Sequence, residues 1–322
     1  MTGTGNENDP YIISTWDDLN IELRNIINYA DGSGYKNGTS DEQKAYIMLD
    51  NDIAMPSDTL DDFIPFDTTL AYINFDGHDH TIKNISNDRI DSALLYTGGI
   101  FTALTDSIIK NVRFRDINFY GNANYFGGLV GEVASCSFEN IFISGSINIL
   151  KYLSSTVWVS GFAGYIGGTG NYFNKCVSNC NITSVDRGYG FAGSASNTQL
   201  TNCKSVCTFS VTNIAGGFCA SGCSLYNCEA ACRYKKAGEI QFLGTGSNCV
   251  CSYSHSAIDD DVTLAANKIR VFGRSSSSTV KYTYYDSDIL DDREITVDTG
   301  TEGVTTAQLK NSSWLIEHGF LM

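Results

Sequence analysis

The sequence predicts an all-β protein, a right-handed, single-stranded parallel β-helix (solenoid) with an N-terminal capping helix and a short C-terminal cap. Three observations carry this. The first is a repeat: a glycine followed by large apolar residues recurs at Gly99, Gly128, Gly161, Gly190 and Gly217, at spacings of 29, 33, 29 and 27 residues. The second lies between those anchors, where residues two apart share a character, as alternate side chains of a strand do when they enter one core. The clearest cases are Cys176-x-Ser178-x-Cys180, Cys203-x-Ser205-x-Cys207 and Cys228-x-Ala230-x-Cys232. The third is that no amphipathic helical pattern occurs between residues 70 and 285, which disfavours helical repeat arrays.

A period of 25 to 30 residues fits one coil of a solenoid, in which each unit buries its apolar face only against its neighbours. Coils stacked at the inter-strand spacing give roughly seven to nine turns and a rod of roughly 40 Å. Weaker echoes of the glycine anchor are expected at Gly244 and Gly273, and Val112 and Ile141 are expected to precede the first cysteines at the same inward position. One structural unit follows, with residues 1–70 as the N-terminal cap leading into the first coil, 71–300 as coils and 301–322 as the C-terminal cap.

The ends of a solenoid need covering, because open sheet ends invite aggregation. Tyr11 to Ser14 reads as a strand. Thr15-x-x-Asp18 then forms a capping-box pattern, with Leu19, Leu23, Ile26 and Ile27 on one helical face. Residues 46–54, 70–75 and 81–85 read as the first strands, and 31–44 and 55–66 as surface loops. Thr305 to Lys310 predicts a short helix, and Trp314, Leu315, Ile316 and Phe320 are apolar enough to close the last coil.

Composition narrows the function. Twenty-one Lys plus Arg stand against 36 Asp plus Glu, a net charge of −15, and such a surface repels phosphate backbones and anionic lipid, so nucleic acid is not expected as a partner. No run of about 18 apolar residues and no signal-peptide pattern is present, so neither membrane insertion nor export through a leader is expected. Eleven cysteines raise the question of disulfides. Their once-per-coil recurrence favours a core ladder of Cys176, Cys180, Cys203, Cys207, Cys228 and Cys232, since cysteine packs as a small hydrophobe.

The units Gly128-Leu129-Val130-Gly131, Gly161-Phe162-Ala163-Gly164 and Gly190-Phe191-Ala192-Gly193 resemble GLUG-motif repeats, and the whole chain resembles pectate-lyase-like β-helices. Thr102 and Ala220 replace the second glycine after Gly99 and Gly217, so those coils are expected to turn differently. The opening Gly3-Thr4-Gly5 with Asp9 through Leu19, and Ile73 to Gly77 followed by Thr81-Ile82, are similar to the start of such β-helices, including bacteriophage-encoded ones. The resemblance implies the fold and leaves the activity open, because one superfold hosts many functions.

Candidate chemistry is sparse. His78-Asp79-His80 has the residue types of a metal or acid/base site but reads better as the turn after Asp76-Gly77. Cys219, Cys223, Cys228 and Cys232 have four thiols for tetrahedral zinc but lack the short C-x2-C knuckle. Asp286, Asp288, Asp291, Asp292 and Glu294 lie beside Tyr282, Tyr284 and Tyr285 without a paired-carboxylate motif, and read as solvated surface. Asn37, Asn84, Asn181 and Asn311 sit in sequons that matter only in a glycosylating pathway. No catalytic residue, metal or cofactor is therefore expected. The expected function is a non-enzymatic bacteriophage virion protein, a capsid or tail decoration on the virion surface. Its expected partners are other virion proteins, copies of itself in a trimer, and host-surface polysaccharide. A cell-surface adhesin and a polysaccharide-degrading spike are the alternatives.

Overall fold

The structure is a computed structural model that describes residues 1–23, 44–57, 63, 66–87, 95–151, 156–259, 262, 264, 268–290, 295–296, 299–318 and 320. It is a parallel β-solenoid of about seven turns. Among the described residues every pairing between strands is parallel, apart from isolated bridges near the N-terminus, with register partners usually 25 to 35 residues apart; Phe142 pairs with Val177, Val177 with Lys204 and Lys204 with Glu229.

One coil shows the plan. Strand Ala163–Gly167 forms the first face, Asn171–Asn174 the second, Val177–Ser184 the third and Trp158–Ser160, from the preceding turn, the fourth. Residues with positive φ turn the chain between faces one and two, where this coil uses Gly168 and Gly170, and again between faces two and three. In other coils the first corner is made by Tyr72, Asp106, Ser135 and Asn197; the second is made by Asn111, Asn140, Lys175, Asn202 and Asn227. Asparagine dominates the second corner because its short amide tolerates this conformation and bonds locally.

The two sequence repeats meet across the interior. A methyl group at Gly161 would lie 1.9 Å from Ser178 Oγ, one at Gly190 2.0 Å from Ser205 Oγ, and one at Gly217 3.0 Å from Ala230 Cβ. Each of these three glycines thus faces the middle residue of a Cys-x-Ser/Ala-x-Cys strand, and the solenoid is too thin there for any side chain. Beside the glycines, Phe162, Phe191 and Phe218 stack at 4.9 and 5.2 Å, a spacing set by the strand repeat.

Several expectations need correction. Gly244 and Gly273 do not continue the glycine column: Cys219 pairs with Gly244, so the place of Gly217 passes to Phe242, whose carbonyl lies against it. The segment 55–66 is not simply a surface loop, because Met55, Phe63 and Phe66 are buried and a ring series runs from Trp16 through Phe63 and Phe66 to Phe101. Ile26, Ile27 and residues 31–43 fall outside the described residues. The capping box is present, with Asp18 N–H donating to Thr15 Oγ1 at 3.2 Å and Thr15 N–H to Asp18 Oδ2 at 2.9 Å, and it opens a π-helical stretch, Asp18–Leu23.

At the far end a second helix, Ser312–Glu317, follows Thr306–Leu309. Leu309, Leu315 and Phe320 do not join the interior. They pack with Tyr284 and Val304 in a separate small cluster on the outer flank, with Tyr253 and Trp314 at its edge, while Ile316 is 60% exposed.

Candidate functional site

The cysteine columns are rungs of the interior. Register places Val112, Ile141, Cys176, Cys203, Cys228 and Ser252 in one column, and Cys180, Cys207, Cys232 and Ser256 in another. Each cysteine just after a corner donates to the carbonyl just before it: Cys136 to Ala134 at 3.3 Å, Cys176 to Asn174 at 3.3 Å, Cys203 to Thr201 at 3.3 Å and Cys228 to Tyr226 at 3.4 Å. Burial pushes the Cys136 and Cys232 thiols up to about 12 and raises those of Cys180, Cys203 and Cys228 well above the ordinary thiol value, which keeps them protonated and poor nucleophiles. Outside that ladder, Cys219 and Cys223 are bonded to each other. That pairing also removes half of the four-thiol zinc set.

The other sequence candidates serve the fold. His78 and Asp79 lie in a turn, both with positive φ, where Asp76 Oδ1 accepts from His78 N–H at 3.0 Å. Asp79 accepts from Asn140 Nδ2 at 3.1 Å, and His80 Nδ1 lies 3.3 Å from Asp52. Asp286 and Asp288 bind the first turn of the C-terminal helix pair through Thr306, at 2.6 and 2.8 Å. Tyr284 is buried beneath that cap, and Asp291, Asp292 and Glu294 lie outside the described residues. Among the described residues no group of three or more His, Cys, Asp or Glu is placed to hold a metal.

A concave surface feature arises from the second glycine of the Gly128, Gly161 and Gly190 repeats. A methyl at Gly131 would lie 2.6 Å from the Gly98 nitrogen, one at Gly164 2.6 Å from the Phe126 nitrogen, and one at Gly193 2.6 Å from Trp158 Cβ. Face one therefore folds back against face four of the preceding turn, leaving a concave corner floored by glycine. Thr97, Tyr125, Trp158 and Arg187 form one wall by register, and Glu132, Tyr165 and Ser194 the other. The corner opens into a cavity of about 300 Å³ lined by Thr97, Tyr125, Glu132 and Tyr165. The rings of Tyr125 and Tyr165 meet edge to face at 5.3 Å. Farther along, Tyr189 fills the corner and stacks on Trp158, over which Arg187 lies at 4.4 Å with its buried Nε lacking a hydrogen-bond partner.

A second pocket, of about 540 Å³, lies where the C-terminal cap overhangs the corner between faces two and three. Lys175, Asn202, Lys204, Asn227, Glu229, Tyr253, Leu315 and Phe320 line it. Glu229 Oε1 accepts from Lys204 Nζ and His255 Nε2, each at 2.7 Å. Burial works to raise its pKa, but those two partners outweigh burial and hold it down at about 2.

No family model matches the chain, and no curated protein matches it. The GLUG resemblance therefore stays a likeness of short motifs. Among solved structures, the chain is similar to a putative immunoglobulin A1 protease from Bacteroides ovatus, at 18% identity and a TM-score of 0.56, covering 98% of this chain and 89% of that one. At that identity the likeness carries the fold alone.

Proposed function

We propose that this chain is a non-enzymatic scaffold that holds an extended polymer, a surface polysaccharide foremost, along its glycine-floored groove. The observation that carries the reading is the open stretch where Tyr125 and Tyr165 face one another over Glu132 and Thr97. Aromatic rings offer apolar faces to sugar C–H groups, while the carboxylate and hydroxyl accept from sugar hydroxyls. The groove runs across coils, so its repeat suits a repeating ligand. The buried thiols and the capping role of Asp286 and Asp288 support a binding role over a catalytic one. The phage-like opening of the sequence supports a virion as the setting.

Titration with a panel of capsular and wall polysaccharides, followed by tryptophan fluorescence, tests the reading. Saturable quenching, weakened about tenfold or more in Tyr125→Ala, is the expected result. New reducing or unsaturated ends on the bound polymer would instead make the chain an enzyme. Mass spectrometry of purified particles checks the setting; the protein's absence from them would remove the virion.

A further inference from the structure

We infer that the pocket beneath the C-terminal cap is a second binding site, independent of the groove, for a small ring-bearing oxyanion, a carboxylate or phosphate held by Lys175 and Lys204. The clue is a broken rule in the corner column. Asn111, Asn140, Lys175, Asn202 and Asn227 occupy successive second corners with φ between 52° and 55°, and lysine alone among them is not asparagine.

Asparagine suits that corner because it tolerates positive φ and continues an amide ladder. Asn140 Nδ2 donates to Asn111 Oδ1 at 3.0 Å, and Asn227 Nδ2 to Asn202 Oδ1 at 2.7 Å. Lysine has no acceptor, so Asn202 turns to Asn174 Oδ1 at 3.2 Å instead. The side chain that costs local stability is the one that brings a cation to the pocket wall. Local rules are broken in this way mainly at functional sites.

The rest of the lining agrees. Lys204 gives one donor to Glu229 and keeps others for the pocket, and that carboxylate is already engaged by Lys204 and His255. The Tyr253 phenol is kept protonated, chiefly by burial and also by Glu229, and gives its proton to that carboxylate. Two ammonium groups and side-chain amides make a donor-rich wall that calls for an acceptor-rich ligand. Tyr253, Leu315 and Phe320 supply an apolar wall for its ring or carbon skeleton. On a chain of net charge −15, a local cation pair is the feature that can hold an anion.

The test is calorimetric titration at low salt with glucuronate, glucose 6-phosphate and glucose, using the full chain and Lys175→Asn. That variant restores the ladder residue, so its melting temperature is expected to stay level or rise by about 2–4 °C. The inference expects at least one of the charged probes to bind, glucose to bind at least about tenfold more weakly, and Lys175→Asn to lose about tenfold or more in affinity while staying folded. Which charged probe binds separates a carboxylate source from a phosphate source. Failure of both charged probes, equal binding of glucose, or unchanged affinity in Lys175→Asn overturns it.

Discussion

At the scale of single residues, what matters most is which atoms a side chain would meet. A methyl added at Gly190 would lie 2.0 Å from the Gly217 carbonyl oxygen and the same from Ser205 Oγ, so backbone must move. Gly170 has positive φ but nothing within 4 Å. Gly190→Ala is expected to cost about 3 kcal/mol by overpacking, and Gly170→Ala about 1 kcal/mol by conformation alone. Equilibrium urea unfolding checks the order, and equal costs would contradict it. The glycine and cysteine repeats were legible in the sequence, but their facing one another was not, because nothing in spacing says which strand lies across a core. Spacing likewise could not show why cysteine recurs. The carbonyls of Thr201 and Tyr226 already accept backbone N–H groups from Lys175 and Asn202, and the next thiol takes a second lone pair. The periodicity reads cysteine as a small hydrophobe; geometry adds that it is a donor. The Cys219–Cys223 bond escaped because it departs from the once-per-coil period.

At the scale of elements, corners and caps decide the outcome. The amide ladder of the second corner is expected to make Asn227→Ala cost about 1–2 kcal/mol, through the lost amide bond and the positive φ left on alanine. A melting temperature unchanged from the parent would contradict that. The strand carrying Glu229 gives a pH test. Its carboxyl titrates lower in the folded chain, at about 2 against an ordinary 4.5, so its contribution is present above pH 4.5 and lost as pH falls toward 2. Glu229→Gln should therefore flatten the fall in urea midpoint across that window, and a curve as steep as the parent's would deny the site its role. The short helix after Thr305 was legible from its residues and forms with a capping box to Gln308. The docking of its successor on the flank was not, because an apolar stripe does not reveal which apolar surface receives it. Buried Phe63 and Phe66 were hidden by acidic neighbours and Pro65, which read as loop.

At the scale of the whole molecule, parallel coils turn a short motif into a long surface. Each second glycine lets one wall fold against another, and stacking repeats that contact into a groove lined by residues that lie far apart along the chain. Tyr125, Trp158 and Tyr165 were legible only as scattered aromatics, since their approach depends on strand register. The fold class was open to reading from period and alternation; the site was not. The most direct measurement is a crystal structure of the chain soaked with an oligosaccharide cut from a polymer that it binds. The account predicts sugar rings against Tyr125 and Tyr165, extending along the corner floored by Gly131 and Gly164. Density at another surface, with that corner filled only by solvent, would contradict it.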